Sequence, residues 1–283
     1  MATGTSATED AGSDFVEWHP AALVQGRNTR QPAPEFALIV LNQPIKNHLA
    51  VIRLLWHNAS VRVAADGGAN LLYEVGGQRG DASFDDLRVI IGDLDSLSDE
   101  TRAYYESRTL PPSKEATQVI HDPDQYSTDF GKAVAHTREH FCSLEPARPL
   151  DIVAVGGLGG RVDQGLSQVH HLYLFQTHPR YEDGRLYLFS GESLTFLLKA
   201  GHHRIRVRDG PAGEADVFDK YVGILPVKEP SRITTKGLEW DVKDWETEFG
   251  GHLSTSNHVL PETQAVEVYT TKDVVFTIAL RHA

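Results

Sequence analysis

From residue 32 to residue 190 short apolar runs alternate with longer amphipathic ones, and this alternation limits the possible folds more than any other feature of the chain. The apolar runs read FALIVLN, VRVAAD, LRVIIGD, TQVIHD, LDIVAVGG and RLYLFSG. Between them lie KNHLAVIRLLWHNA, GANLLYEVG, STDFGKAVAHTREHF and VDQGLSQVHHLYLFQTH, with apolar residues at helical spacing. In the last of these, Leu166, Val169 and Leu172 read as a core stripe, and His170 and His171 as packing residues without a metal-ligand partner one turn on. Strand and helix in alternation require crossover connections, which build a doubly wound, mostly parallel sheet covered on both faces. Beyond Gly191 the texture changes to short β-type runs separated by Gly, Pro and Asp turns, among them SLTFLLKAGHHRIRV, SRITTKGLEWDV and VVFTIAL. The expected fold class is therefore α/β, an N-terminal doubly wound sheet domain over 32–190 followed by an all-β sandwich domain over 191–283. Residues 1–31, rich in Ser, Thr, Ala and Pro, read as a mostly flexible tail whose Phe15–Val24 stretch docks on the body.

Charge and cysteine content narrow the function. A formal net charge of -12, with no basic stripe, argues against nucleic acid as a partner. The single cysteine, Cys142, allows neither a disulfide framework nor a thiolate metal site within one chain and suits a reducing, cytoplasmic compartment. No run approaches the roughly 18 apolar residues of a membrane span, so no membrane partner is expected.

Four strand ends carry residues suited to chemistry, and in an open parallel sheet ligands bind outside the carboxyl ends of strands. In ADGGAN, Asp66 closes a strand and Gly67 and Gly68 turn the chain tightly toward Asn70 and a helix. In VIIGDLDSLSD, Asp93 and Asp95 follow an apolar run one residue apart, flanked by Gly92 and Ser96. Alternate positions on an extended segment point the same way, so both carboxylates are expected to reach one hard cation such as Mg2+. In DPDQYSTDFGKAV, Ser127 or Thr128 caps a helix whose first turn holds Asp129, a third acidic oxygen donor. In VGGLGGRVDQGLSQ, four glycines in five positions precede Arg161, which can fork onto a phosphate, and Asp163 at a helix start. A P-loop, a GxGxxG fingerprint, an HExxH motif and a protein-kinase catalytic loop are all missing from the sequence.

ADGGAN, IIGDLDS, DQYSTDF and GGLGGRVDQ, in this order and followed by TTKGLEWDV and FGGHLSTSN, closely resemble the thiamine pyrophosphokinase (thiamine diphosphokinase) family over most of residues 36 to 278. The resemblance implies transfer of the terminal pyrophosphoryl unit of ATP to the hydroxyl of thiamine, giving thiamine diphosphate and AMP. It implies a homodimer whose active sites are shared between the α/β domain of one chain and the β domain of the other, so that 32–190 is the catalytic, ATP- and Mg-binding domain and 191–283 the thiamine-binding one. Carried over by position, Asp93, Asp95 and Asp129 are the Mg2+ ligands, Arg161 offsets phosphate charge, and Asp66 or a neighbouring carboxylate accepts or orients the hydroxyl proton. Gly67, Gly68, Asn70, Gly92, Ser96, Gln125, Ser127, Thr128, Asp163 and Gln164 fall at nucleotide or substrate positions. Trp240, Ser254, Ser256 and Asn257 match positions near the thiamine pocket. The chain departs from the pattern at Tyr126, where many members carry Asp. Two other readings compete: a metal-dependent nucleotide-sugar glycosyltransferase, which accounts for GDLDS alone, and a non-catalytic nucleotide- or thiamine-sensing module, which leaves the full set of acidic ligands without a task.

Overall fold

The structure is a computed structural model and describes residues 15–25, 35–44, 49–108, 115–142, 148–208 and 216–281. The first half runs β1 (Val16–Trp18), β2 (Phe36–Val40), α1 (Leu49–Asn58), β3 (Val61–Ala65), α2 (Gly68–Val75), β4 (Val89–Gly92), α3 (Asp99–Ser107), β5 (Gln118–His121), α4 (Asp129–His140), β6 (Asp151–Val155), α5 (Val162–Leu174) and β7 (Leu186–Phe189). The second half is strands throughout: β8 (Ser193–Leu198), β9 (Gly201–Arg206), β10 (Phe218–Leu225), β11 (Ser231–Lys236), β12 (Trp245–Thr247), β13 (Ser254–His258), β14 (Ala265–Thr270) and β15 (Val274–Leu280).

Ten strands form one sheet in the order β13-β10-β15-β8-β7-β6-β2-β3-β4-β5. From β7 to β5 every pairing is parallel, as the alternation of runs predicts. The Ser190–Gly191 turn then reverses the chain into β8, and from β7 to β13 every pairing is antiparallel. The sheet thus passes without a break from the α/β half into the β half. A second sheet, ordered β1-β9-β14-β11-β12, covers the antiparallel end.

Strand β2 is apolar at every position because both of its faces are buried. Phe36, Leu38 and Val40 join the cluster that holds Ile52, Leu55 and Trp56 of α1 and Leu72 of α2, whereas Ala37 and Ile39 join Phe130, Ala133 and Val134 of α4 and Leu172 of α5 on the other face. Period-two alternation between two buried faces leaves no position for a polar side chain. The first cluster continues into the sandwich, where Phe196, Phe276 and Ile278 of the large sheet meet Ile205, Val266 and Ile233 of the small one.

The Phe15–Val24 stretch docks through β1, which adds in parallel to β9, and Trp18 is fully buried with its indole stacked 4.5 Å from the Phe196 ring. Residues 1–14 and 26–31 of the expected tail lie outside the described residues. One element is added to those read from the sequence and one expectation is corrected. The polar stretch after Asp95 holds a helix, α3, capped by Ser98 and anchored by Thr101 and Tyr105. Leu166 is not core: it is 61% exposed, because the first two turns of α5 stand clear of the sheet, whereas Leu172 is fully buried.

Candidate active site

The chain winds outward from β2 through β3 and β4 to β5, then returns to place β6 on the other side of β2. Where the winding reverses, adjacent connections leave in opposite directions and open a crevice at the carboxyl ends. A cleft of about 460 Å³ lies there, walled by the residues after β2 (Asn42, Gln43), β3 (Asp66, Gly67), β4 (Asp93, Ser96) and β6 (Gly156, Gly157), by the 124–130 segment, and by Arg161, Gln164, Ser167 and Gln168.

Carboxylates dominate its floor. Oxygens of Asp66, Asp93 and Asp95 lie within 4.8 Å of one another. Asp93 and Asp95 meet through a turn, not through an extended strand as the spacing suggests: Leu94 between them takes φ +62°, and the Asp95 amide donates to Asp93 Oδ1 at 3.2 Å. That bond holds the Asp93 carboxyl below the usual carboxylate range. Asp66 is 3% exposed and itself takes φ +44°. Burial, reinforced by the negative charge of Asp129, pushes its carboxyl above the ordinary range. Asp66 Oδ2 accepts from the Ser96 amide at 3.2 Å, while its buried Oδ1 has no partner. Asp129 lies outside this group of three. Its Oδ1 accepts from the Asp93 amide at 3.3 Å and pairs with the buried Lys132 ammonium at 3.4 Å. The triplet that the geometry gathers therefore contains Asp66 where the resemblance sets Asp129. Gly92 keeps the two together, since a Cβ there would lie 2.7 Å from Asp66 Cβ and 2.9 Å from Asp129 Oδ1.

The other expected residues divide by task. Gln125 Nε2 donates to Asp93 Oδ2 at 3.5 Å, and Ser96 Oγ donates to Asp95 Oδ1 at 3.0 Å. Thr128, rather than Ser127, caps α4, accepting from the Gly131 amide at 3.0 Å; Ser127 donates to Asp124. Asn70 braces the acidic loop from outside the cleft, donating to the Ser96 carbonyl at 2.7 Å and accepting from the Ser98 amide at 3.1 Å. Gly68 lets α2 approach β2, as a Cβ there would lie 2.2 Å from the Val40 carbonyl oxygen. Arg161 reaches the cleft wall from a turn in which Gly156, Gly159 and Gly160 all take positive φ, and it forks onto Asp163 with contacts of 3.1 and 2.5 Å. Tyr126 is fully exposed and does not line the cleft.

Trp240, Ser254, Ser256 and Asn257 are not brought to this cleft, and among the described residues none of the sandwich lines it. Trp240 is 54% exposed, with its ring 4.9 Å from that of His258. Asn257 is buried and its amide is committed to the backbone: it accepts from the Trp240 and His258 amides at 3.1 and 2.8 Å and donates to the Trp240 carbonyl at 2.9 Å. These bonds hold the Trp240 backbone in place. Ser254 begins β13 and Ser256 sits at φ +53° where the register with β10 shifts.

Sequence reasoning missed Asn42, Gln43, Asp124, Ser167 and Gln168, all of which line the cleft. Asn42 and Gln43 follow an apolar strand directly, the signal that singled out Asp66 and Asp93. Gln168 is buried with an unpartnered Oε1.

Two family models match the chain, the thiamin pyrophosphokinase catalytic domain over residues 52–182 and the thiamin pyrophosphokinase vitamin B1 binding domain over residues 202–275. The chain belongs to the thiamin pyrophosphokinase family. Thiamine pyrophosphokinase 3 of Oryza sativa subsp. japonica is 35% identical over 257 residues, covering 87% of this chain and 88% of the rice protein. Thiamine pyrophosphokinase 1 of Arabidopsis thaliana is 34% identical over 273 residues, 93% of each. The crystal structure of yeast thiamin pyrophosphokinase superimposes with a TM-score of 0.77 at 25% identity, covering 97% of this chain and 94% of the yeast one. The catalytic-domain match spans every element that bounds the cleft except β2, and the B1-binding match spans the turn that carries Trp240 and the strand that carries Asn257.

Proposed function

We infer that this chain is a thiamine pyrophosphokinase: it transfers the pyrophosphoryl group of ATP to the hydroxyl of thiamine and releases AMP. The observation that carries this reading is the gathering of Asp66, Asp93 and Asp95 at the winding reversal of a chain that matches both family models. Residues 32–190 supply the phosphate chemistry and residues 191–283 the thiamine site.

The acidic triplet fits a hard divalent cation. Three carboxylates this close repel one another, and a buried carboxylate oxygen without a hydrogen-bond partner is costly unless a cation or proton meets it. Asp66, Asp93 and Asp95 would hold Mg2+, with Asp129 beside them. When bound, the ion supplies neutralisation of the charge that builds on the phosphate oxygens in a loose transition state.

The remaining work belongs to the chain itself. Arg161 is tethered by Asp163 at the cleft wall, which pre-orients its guanidinium toward an incoming polyphosphate. The α4 N-terminus, capped by Thr128, directs its first amides toward negative charge. Asp66 or a neighbouring carboxylate is placed to orient or accept the thiamine hydroxyl proton as the oxygen attacks the β-phosphorus and AMP leaves. Trp240, held by Asn257, presents an aromatic face to the cationic thiazolium or the pyrimidine.

Among the described residues no sandwich residue of the same chain lines the cleft, and the reading includes a homodimer in which Trp240 of one copy closes the cleft of the other. The reading places the enzyme in the cytoplasm; no described helix is long and apolar enough to cross a membrane. Incubation of the purified chain with ATP, thiamine and Mg2+ should yield AMP and thiamine diphosphate in equal amounts, and Asp95→Ala should abolish both while leaving thermal unfolding unchanged. Turnover by that variant at the wild-type rate would remove the acidic site from the mechanism.

A further inference from the structure

Behind the cleft lies a buried histidine to which the mechanism above assigns no task. His171, on α5, is 3% exposed, and its ring lies 4.9 Å from Phe130 and 5.7 Å from Phe175. Its Nδ1 is 2.5 Å from the Ser167 carbonyl oxygen, which can only accept, so Nδ1 carries the proton. Nε2 lies 2.9 Å from Thr128 Oγ1. A neutral imidazole protonated at Nδ1 has only a lone pair there, so the threonine hydroxyl donates to it. Thr128 Oγ1 in turn accepts from the Gly131 amide. The direction of each hydrogen bond from Ser167 to Gly131 is thereby set, and burial, which lowers the affinity of His171 for a second proton, keeps the relay in this form.

The surroundings explain why such a relay is needed. A second cavity of about 660 Å³ opens between α4 and α5, and Thr128 walls both it and the cleft. With open space on two sides, packing alone does not hold the Thr128 hydroxyl in place. Gly131 leaves room for the pair, since a Cβ there would lie 3.3 Å from Thr128 Oγ1 and 3.5 Å from His171 Nε2. We propose that His171 is a positioning residue for pyrophosphoryl transfer: it fixes the Thr128 hydroxyl and, through that cap, the first turn of α4 that carries Asp129 into the cleft. The proposal rests on the functional reading above and adds to it a residue that touches neither substrate.

The test joins spectroscopy to kinetics. In the wild-type chain at pH 7, 15N NMR should show His171 protonated at Nδ1 and bare at Nε2; a proton on Nε2 would overturn the relay. His171→Leu fills the space without an acceptor, and His171→Gln restores an acceptor close to the position of Nε2. His171→Leu should speed exchange of the Gly131 amide and lower kcat about tenfold, with the KM for thiamine within about twofold of wild type. His171→Gln should recover most of both. Equal losses in the two variants, or wild-type kcat in His171→Leu, would reduce His171 to a packing residue. Thr128→Val combined with His171→Leu should cost no more than the larger single loss, and additive losses would contradict the coupling. A wild-type chain that forms no AMP would count against the enzyme assignment instead, while the NMR and exchange measurements would still decide the relay.

Discussion

The acidic cleft and the core of the β sandwich treat buried polar groups in opposite ways. Around Trp18 the ring nitrogens form a chain of hydrogen bonds: the indole N–H donates to His203 Nδ1 at 3.1 Å, His203 Nε2 donates to the Lys199 carbonyl at 2.7 Å, and the Arg185 guanidinium lies 4.2 Å over the indole while donating to the Glu17 carbonyl at 2.8 Å. In the cleft, Asp66 Oδ1 and Gln168 Oε1 are buried without partners, like charges crowd together, and Asp66 and Leu94 both sit at positive φ. A satisfied network rigidifies a core, whereas crowded like charges and unpartnered oxygens persist where a ligand completes them. The sandwich is therefore organised for stability and the cleft for binding.

The sharpest way to break that contrast is Asp66→Asn. Asparagine tolerates the left-handed backbone, and its amide oxygen can keep the bond from the Ser96 amide. Removing the buried charge should lower kcat about a thousandfold and at the same time raise stability in metal-free buffer by about 1 kcal/mol. Urea unfolding beside an AMP assay measures both. A variant that loses activity and stability together would mean that Asp66 is part of the scaffold.

The reverse outcome is expected in the sandwich. Trp18→Ala removes a fully buried indole and leaves His203 Nδ1 without its donor, a loss of about 3–5 kcal/mol in unfolding free energy. Because β1 pairs with β9 in the second sheet, whereas the cleft strands belong to the first, the folded fraction should keep its kcat at low temperature. The segment before β2 would then be a structural strap with no part in the chemistry.

How much of this was open to a reader of the chain depends on where each signal resides. Parallel strands buried on both faces read as nearly continuous apolar runs, so β2, β3, β4 and β6 are plain in the sequence, and their carboxyl ends lead to Asp66, Asp93 and Arg161. That Asp66 joins Asp93 and Asp95 was not plain, because it depends on a reversed backbone at Leu94 and on the pairing of β3 with β4. Spacing alone pointed to an extended segment there. Asn257 reads as a ligand contact because FGGHLSTSN resembles a family motif, and only the structure shows that its amide also bonds the Trp240 and His258 backbone. Leu166 reads as core because helical spacing does not reveal which turns of a helix overhang a cleft.

The two regions should also separate with pH. His203, 1% exposed, is held neutral by burial, and its imidazole is pushed down to about 4 from an unfolded value of 6.5. The native state then binds fewer protons than the unfolded chain between these values. Stability should be full above pH 6.5 and fall as the pH drops toward 4, by up to about 3 kcal/mol. His203→Gln should remove that part of the acid sensitivity. Asp66 runs the other way: with its carboxyl raised, the folded state takes up a proton first, so acid relieves the cleft while it weakens the sandwich.

The smallest effect tests the helix that the sequence concealed. Helix α3 buries only Thr101 and Tyr105, so its composition resembles a loop, and it forms because Ser98 Oγ accepts from the Thr101 amide at 3.2 Å with Asp99 and Glu100 in the first turn. Ser98→Ala should therefore cost about 1 kcal/mol, the usual worth of an N-cap. The Ser98 amide also donates to Asn70 Oδ1, and Asn70 grips the Ser96 carbonyl, so the start of α3 is tied to the loop that bears Asp95. A backbone bond survives the substitution, so kcat should change less than about twofold while urea unfolding registers the lost cap. A large fall in kcat with little change in stability would show that the cleft borrows its order from α3, and the division between a saturated sandwich and a self-contained acidic loop would have to be redrawn.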